Sequence, residues 1–333
     1  MAVAGARASH FALVRSGAAR VYPARVPSSA TIDPVVPPNA PVAHDTVKKL
    51  EGFAAVLFGA SVLGLSAIFV KFAAAGGATA TTIGFYRMLF ALPGVYLLAR
   101  RRGGVGGGEG RTWGLIAGVA LFLDLWLWHA AMHDTTAANA TLLVGGLSPV
   151  WVALFAVSVL HLRYDALAWM GQALGVSGAL ILALAKGARG GTGRGELLAI
   201  IASVCYAAFT LTLKRSRRTL QAEQALFWMT VGCLLCFLPA VLATGAPLHG
   251  YTTRAWWALV GLGVIVHIGG WWSASWGLGH TSAALGAIAL QGQQVATLFL
   301  AAWLLAESIK PLGLLGAALI VVGIVLVARN RDS

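Results

Sequence analysis

Asp124 and His267 are the residues of this chain whose chemistry most needs an explanation. Each interrupts an apolar run, Leu121-Phe122-Leu123-Asp124-Leu125-Trp126 in one case and Val264-Ile265-Val266-His267-Ile268 in the other. A charged group at the middle of a bilayer costs about 2.5–3.5 kcal/mol on insertion scales, so such residues are rare without a reason. The two also hold matched places. The offset that carries Trp113 onto Trp256 carries Asp124 onto His267 and Trp128 onto Trp271. Each run thus presents an ionisable group and a tryptophan at i and i+4, on one helix face. A carboxylate and an imidazole at equal depth could form a proton site, one gaining a proton as the other releases it, and so couple proton flow to solute movement. The competing reading is that each is satisfied by a local hydrogen bond and fixes helix packing.

Other polar residues fall in apolar runs. Trp128 and Trp271 sit deep enough to line a cavity and stack on a ligand, or to pack in the core. Gln291, Gln293 and Gln294 share one run, with Gln291 and Gln294 near one face, and such amides need polar partners or water. Asn139, Thr141 and Ser148 share another, where Pro149 frees a backbone carbonyl. Together they could form a hydrogen-bonding patch for a small-molecule substrate, or glue between helices. Arg87 follows Tyr86 inside a run and must snorkel or pair with an acid. His129, His133 and Asp134 allow a second class of function, a membrane-embedded enzyme acting on lipid. No metal site or cofactor is expected. Cys233-Leu-Leu-Cys236 has redox spacing without a redox fold around it, and the glycine-rich loop 103–110 lacks the strand and Lys-Ser/Thr of a phosphate loop.

The elements that must position these residues are membrane helices. The 333 residues are 58% hydrophobic and only 11% charged, which excludes an ordinary soluble domain. The apolar stretches predict ten spans, at 52–73, 79–99, 113–132, 136–160, 166–185, 195–213, 224–243, 255–277, 283–305 and 311–328. The runs are continuous rather than alternating, which argues against a barrel. The net charge of +13 comes from residues in loops and reads as topology rather than nucleic-acid binding. With the N-terminus inside, Arg100, Arg101, Arg102 and the run Lys214–Arg218 lie inside, while Lys186, Arg189 and Arg194 lie outside against the trend. Lys214–Arg218 is expected at anionic headgroups. Residues 1–50 read as a disordered tail with a stiff proline-rich approach to the first span. Their Arg- and Ser-rich composition is shared by organelle transit peptides, which would change the membrane.

The hydrophobic text is written twice. Arg111-Thr112-Trp113 is echoed by Arg254-Ala255-Trp256, Thr135-Thr136-Ala137-Ala138 by Thr281-Ser282-Ala283-Ala284, and Gly171…Gly178 by Gly316…Gly323. The units run over 51–187 and 194–329. Each holds an odd number of spans, so the second must enter the membrane inverted, as in many secondary transporters.

In Tyr86-Arg87-Met88-Leu89-Phe90, in Ala137 through Pro149, in Thr281-Ser282-Ala283-Ala284 and in Ala306-Glu307, the chain resembles the drug/metabolite transporter superfamily, with its EamA-like domain present twice. The resemblance implies an all-α integral membrane protein of ten helices in two inverted five-helix repeats, both ends cytoplasmic; a cell inner membrane is the default expectation for its location. The resemblance also implies a cavity lined by spans one to four and six to nine, and secondary transport, often export, of small metabolites, amino acids or drugs. It places Arg87 and Glu307 as structural charged residues. His161 stands where the first unit often has Glu, and Val295 replaces the proline of span nine. The expected substrate site is Asp124, Trp128, Asn139, His267, Trp271, Gln291 and Gln294, with Asp124 and His267 as coupling residues. The expected partners are a small-molecule substrate, the lipid bilayer, a coupling proton and a second copy as a homodimer, and no nucleic acid.

Overall fold

A computed structural model gives the fold. It describes residues 41–134, 137–158, 166–185, 193–306 and 308–329. Among the described residues the structure is helical and holds no strand. The helices are α1 (Pro41–Leu63), α2 (Ser66–Ala75), α3 (Ala80–Arg101), α4 (Gly108–Asp134), α5 (Ala137–Ser158), α6 (Ala166–Ala185), α7 (Arg194–Ser216), α8 (Ala222–Thr244) and α9 (Thr253–Gly261). After a π-helical stretch, Leu262–Trp271, come α10 (Trp272–Leu278), α11 (Ala283–Leu290), α12 (Gly292–Leu305) and α13 (Pro311–Arg329). Eight segments are long and apolar enough to cross a membrane, while Leu143–Phe155 and Ala166–Ile181 are shorter apolar helices. A bilayer has no water to satisfy a peptide group, so an all-helical solution follows.

Residues 41–50 correct the expected tail, since α1 begins at Pro41. Proline is suited to that place: a first-turn N–H has no helical partner, and the ring presets the helical φ. Residues 1–40 lie outside the described residues.

Three of the expected single spans are interrupted. The first breaks between α1 and α2, where the Gly64 N–H is shared between the carbonyls of Ala60 and Ser61. The Thr297 hydroxyl of α12 donates to the Gly64 carbonyl at 3.1 Å, so the other half of the chain satisfies that break. The ninth span turns at Gln291, where N–H groups bond three residues back, Gln291 to Ile288 at 3.0 Å and Gln294 to Gln291 at 2.9 Å. Such tightened turns separate α11 from α12 without the proline that the sequence lacks. The eighth widens into the π-helical stretch. Helix starts use short polar side chains: Thr79 and Thr82 form a reciprocal box at α3, and Thr252 and Ser282 cap α9 and α11.

Association between apolar helices in lipid rests on close packing rather than on a drive away from water. Glycines supply it here. A β-carbon on Gly178 of α6 would stand 2.5 Å from the carbonyl oxygen of Gly316, and one on Gly171 would stand 2.8 Å from that of Gly323. The two helices therefore run antiparallel. In α3 and α8, Gly84 faces Phe237 while Tyr96 lies 5.8 Å from Phe227, so this pair is antiparallel too. Between α4 and α8, Gly118 meets the Met229 carbonyl and Gly232 meets that of Leu115.

Helix ends are tied by polar contacts. Lys214 Nζ donates to the carbonyls of Leu278, at 2.8 Å, and Thr281. Arg217 donates to Ser275 O at 3.0 Å and to Leu220 O. The Leu278 and Thr281 carbonyls lie at and just beyond the C-terminal end of α10, and cations suit the negative end of a helix. Arg215 pairs with Glu109 at 3.0 Å and lies over the Trp113 ring. The run Lys214–Arg218, expected at headgroups, thus spends Lys214, Arg215 and Arg217 on the protein itself. Arg102 pairs with Glu223 at 3.3 Å, and Tyr86 donates to Leu248 O at 2.6 Å.

Candidate functional site

Four helices bring their polar side chains into the middle of the bundle. Arg87 comes from α3, Asp124 from α4, Tyr206 from α7 and His267 from the π-helical stretch. Arg87, Asp124 and His267 are buried, with 7%, 4% and 0% exposure. Arg87 therefore does not snorkel to the surface; it forms no ion pair within 4.0 Å among the described residues. The guanidinium acts through space on Asp124, on Tyr206 and on Cys233 of α8, and it also acts on His267. It donates a long hydrogen bond to Ser66 Oγ, at 3.4 Å. Arg87 Nε and Asp124 Oδ1 have no hydrogen-bond partner among the described residues. Buried charges without full hydrogen bonding are costly and mark sites where a ligand or proton can supply what is missing.

The packing that sets this geometry is backbone on backbone. A β-carbon on Gly263 would stand 3.1 Å from the carbonyl oxygen of Arg87 and 2.7 Å from Cβ of Phe90, so glycine lets the π-helical stretch lie flat on α3. On the other flank, Gly118 seats α4 against α8. Both ionisable positions are thus mounted next to a glycine contact, which leaves their backbones little freedom.

His267 Nε2 lies 2.8 Å from the Thr230 hydroxyl of α8. Trp271 turns elsewhere: its ring meets Phe209 of α7 edge-on at 4.8 Å and lies 6.4 Å from Tyr206. His267 and Trp271 stand one turn apart on the π-helical stretch and reach different neighbours, α8 for His267 and α7 for Trp271. Trp128 is half-buried and packs with Leu127, Ala131, Val144 and Leu198, next to Tyr206. Tyr206 shares this cluster with Trp128 and lies near Trp271.

The amides of the ninth span diverge. Gln294 faces Gly145 of α5, whose β-carbon would stand 2.5 Å from Nε2. Gln291 faces Gly175 of α6, whose β-carbon would stand 2.6 Å from Oε1. The turn at Gln291 separates them, so their sequence spacing does not put them on one face. Asn139 lies in α5, and its side chain is outside the described residues; Glu307 and His161 lie outside them too. The alternative site fares similarly: the side chains of His129 and His133 are outside the described residues, and Asp134 pairs with Arg194 at 3.4 Å. No cluster of three His, Cys, Asp or Glu suited to a metal occurs among the described residues.

Tyr206, Thr230 and Cys233 are the site residues that sequence reasoning missed. A phenol, a hydroxyl and a thiol are ordinary in apolar helices, and the partners that give them meaning lie on distant segments.

Comparison with known families decides what kind of bundle this is. The model of the EamA-like transporter family matches twice, over residues 50–184 and 193–329. The chain belongs to the EamA-like transporter family. The EamA match spans all four elements that carry the central charges. One similar solved structure, described in print as "Crystal structure of protein", has a TM-score of 0.71 and 19% identity, covering 85% of this chain and 98% of that one. That likeness extends to the fold. No curated protein matches.

Proposed function

We propose that this EamA protein is a secondary active transporter that moves small metabolites, amino acids or drugs outward by alternating access. The observation that carries the reading is the set Arg87, Asp124 and His267, buried in a membrane-type bundle with polar atoms left unpaired, beside the half-buried Tyr206. A helical bundle has no structural need for such a set, and intramembrane ionisable groups in transporters serve substrate and ion paths.

The proposed frame is ten spans in two inverted five-helix repeats, over 51–187 and 194–329. The antiparallel run of the equivalent helices α6 and α13, and of α3 and α8, supports it. In such frames one bundle rocks against the other around a midplane site. Asp124 is the proposed coupling group: a carboxylate there can take a proton or hold a cationic group, and exchange of one for the other links the two flows. His267, Trp128 and Trp271 form the rest of the site, with Gln294 at its α5 side; Asn139 and Gln291 are proposed contributors on the flanking helices. Both termini are proposed to be cytoplasmic and the membrane to be the cell inner membrane. Reconstituted protein given a panel of such compounds, with and without a pH gradient, tests the reading. Gradient-driven accumulation of a panel member is expected, and absence of flux for every class would overturn it.

A further inference from the structure

The Thr230 hydroxyl holds one proton and stands between two neighbours. It lies 2.7 Å from the carbonyl oxygen of Leu226, one turn back on α8, and 2.8 Å from His267 Nε2. Two oxygens at that separation repel unless a proton lies between them, and a carbonyl has none to give. The hydroxyl proton therefore points to Leu226, as threonine in a helix commonly arranges. What remains on Thr230 Oγ1 is a lone pair, so Nε2 of His267 must bring the proton to that contact. In the neutral ring the other nitrogen, Nδ1, is then an acceptor. Nδ1 is buried and has no partner among the described residues.

We propose that Thr230 is a positioning residue that locks His267 in the Nε2–H form, so that Nδ1 presents a lone pair inside the site. This rests on the transport reading only for its use: the site gains a neutral acceptor beside the Arg87 guanidinium, suited to a ligand that brings an N–H or O–H donor. Thr230 of α8 contacts the ring, Arg87 of α3 acts on it through space, and Asp124 of α4 acts on Arg87 in turn. Thr230 and His267 are both fully buried, so water does not compete for the contact.

The test reads the tautomer itself. The full chain is labelled with nitrogen-15 histidine, placed in lipid nanodiscs at mildly alkaline pH, and the His267 signals are assigned by their loss in His267→Gln. Wild type and Thr230→Ser are expected to show Nε2–H with Nδ1 unprotonated. In Thr230→Val the Nδ1–H share is expected to rise about tenfold, the scale of one lost hydrogen bond. Nδ1–H in wild type, or an unchanged ratio in Thr230→Val, would overturn the proposal; so would an altered ratio in Thr230→Ser. The serine and wild-type arms stand even if the valine variant does not fold. In the flux assay with the same metabolite panel, Thr230→Val is expected to lose at least about fivefold in uptake and Thr230→Ser to restore it. A moved tautomer with unchanged uptake would overturn the positioning role. An Nε2–H wild type that moves no panel compound would instead count against the transport reading.

Discussion

Gly178 and Gly316 touch backbone to backbone: a β-carbon on Gly178 would stand 2.5 Å from the Gly316 carbonyl oxygen and 2.8 Å from the Ile320 nitrogen. The repeat alignment exchanges the roles of this contact with that of Gly171 and Gly323, which is made in the same crossing. A self-matched crossing of this kind is what a pseudo-two-fold between two halves requires.

Gly178→Ala is therefore expected to force α6 and α13 apart and lower stability by about 1–3 kcal/mol, the range for overpacking. Gly107→Ala is the control, because a β-carbon there meets nothing within 4 Å. Thermal unfolding in detergent reads both. An unchanged midpoint for Gly178→Ala would contradict the packing account.

The glycine ladders on both sides of that contact were visible in the sequence as part of the repeat, and the helices that carry them as long apolar runs. Asp124 and His267 stood out because charge is expensive where they lie. The π-helical stretch was not readable, since Leu262–Trp271 carries the same apolar letters as a regular span. Thr230 and Tyr206 were hidden for a different reason: their roles depend on His267, Trp271 and Arg87, which only the packing brings near. The separation of Gln291 from Gln294 was hidden by a turn that no proline announces.

The cation clamp on α10 gives a second expectation. Lys214→Met leaves the Leu278 and Thr281 carbonyls without their charged donor and is expected to lower stability by about 1.5–3 kcal/mol, the scale for hydrogen bonds to a charged group. Arg215→Ala removes an exposed pair with Glu109, whose side chains are 45% and 60% exposed, and is expected to change stability by under about 1 kcal/mol. Equal losses in the two variants, read by the same unfolding assay, would contradict the distinction between buried and exposed cations.

The central charges should be coupled. Arg87→Met removes the buried cation that acts through space on Asp124 and is expected to destabilise by about 1–3 kcal/mol. Adding Asp124→Asn should recover part of that loss, because the stranded charge is gone. A double-mutant cycle measures the recovery, and strictly additive losses would mean that the two residues do not share a field.

The transport reading turns on Asp124 coupling solute movement to a proton or cation. The most direct measurement is accumulation in proteoliposomes under an imposed pH gradient, wild type against Asp124→Asn, with folding checked by retained unfolding temperature. The variant is expected to lose gradient-driven accumulation while still exchanging substrate across the membrane. Accumulation that persists in Asp124→Asn with the same dependence on the gradient would contradict it.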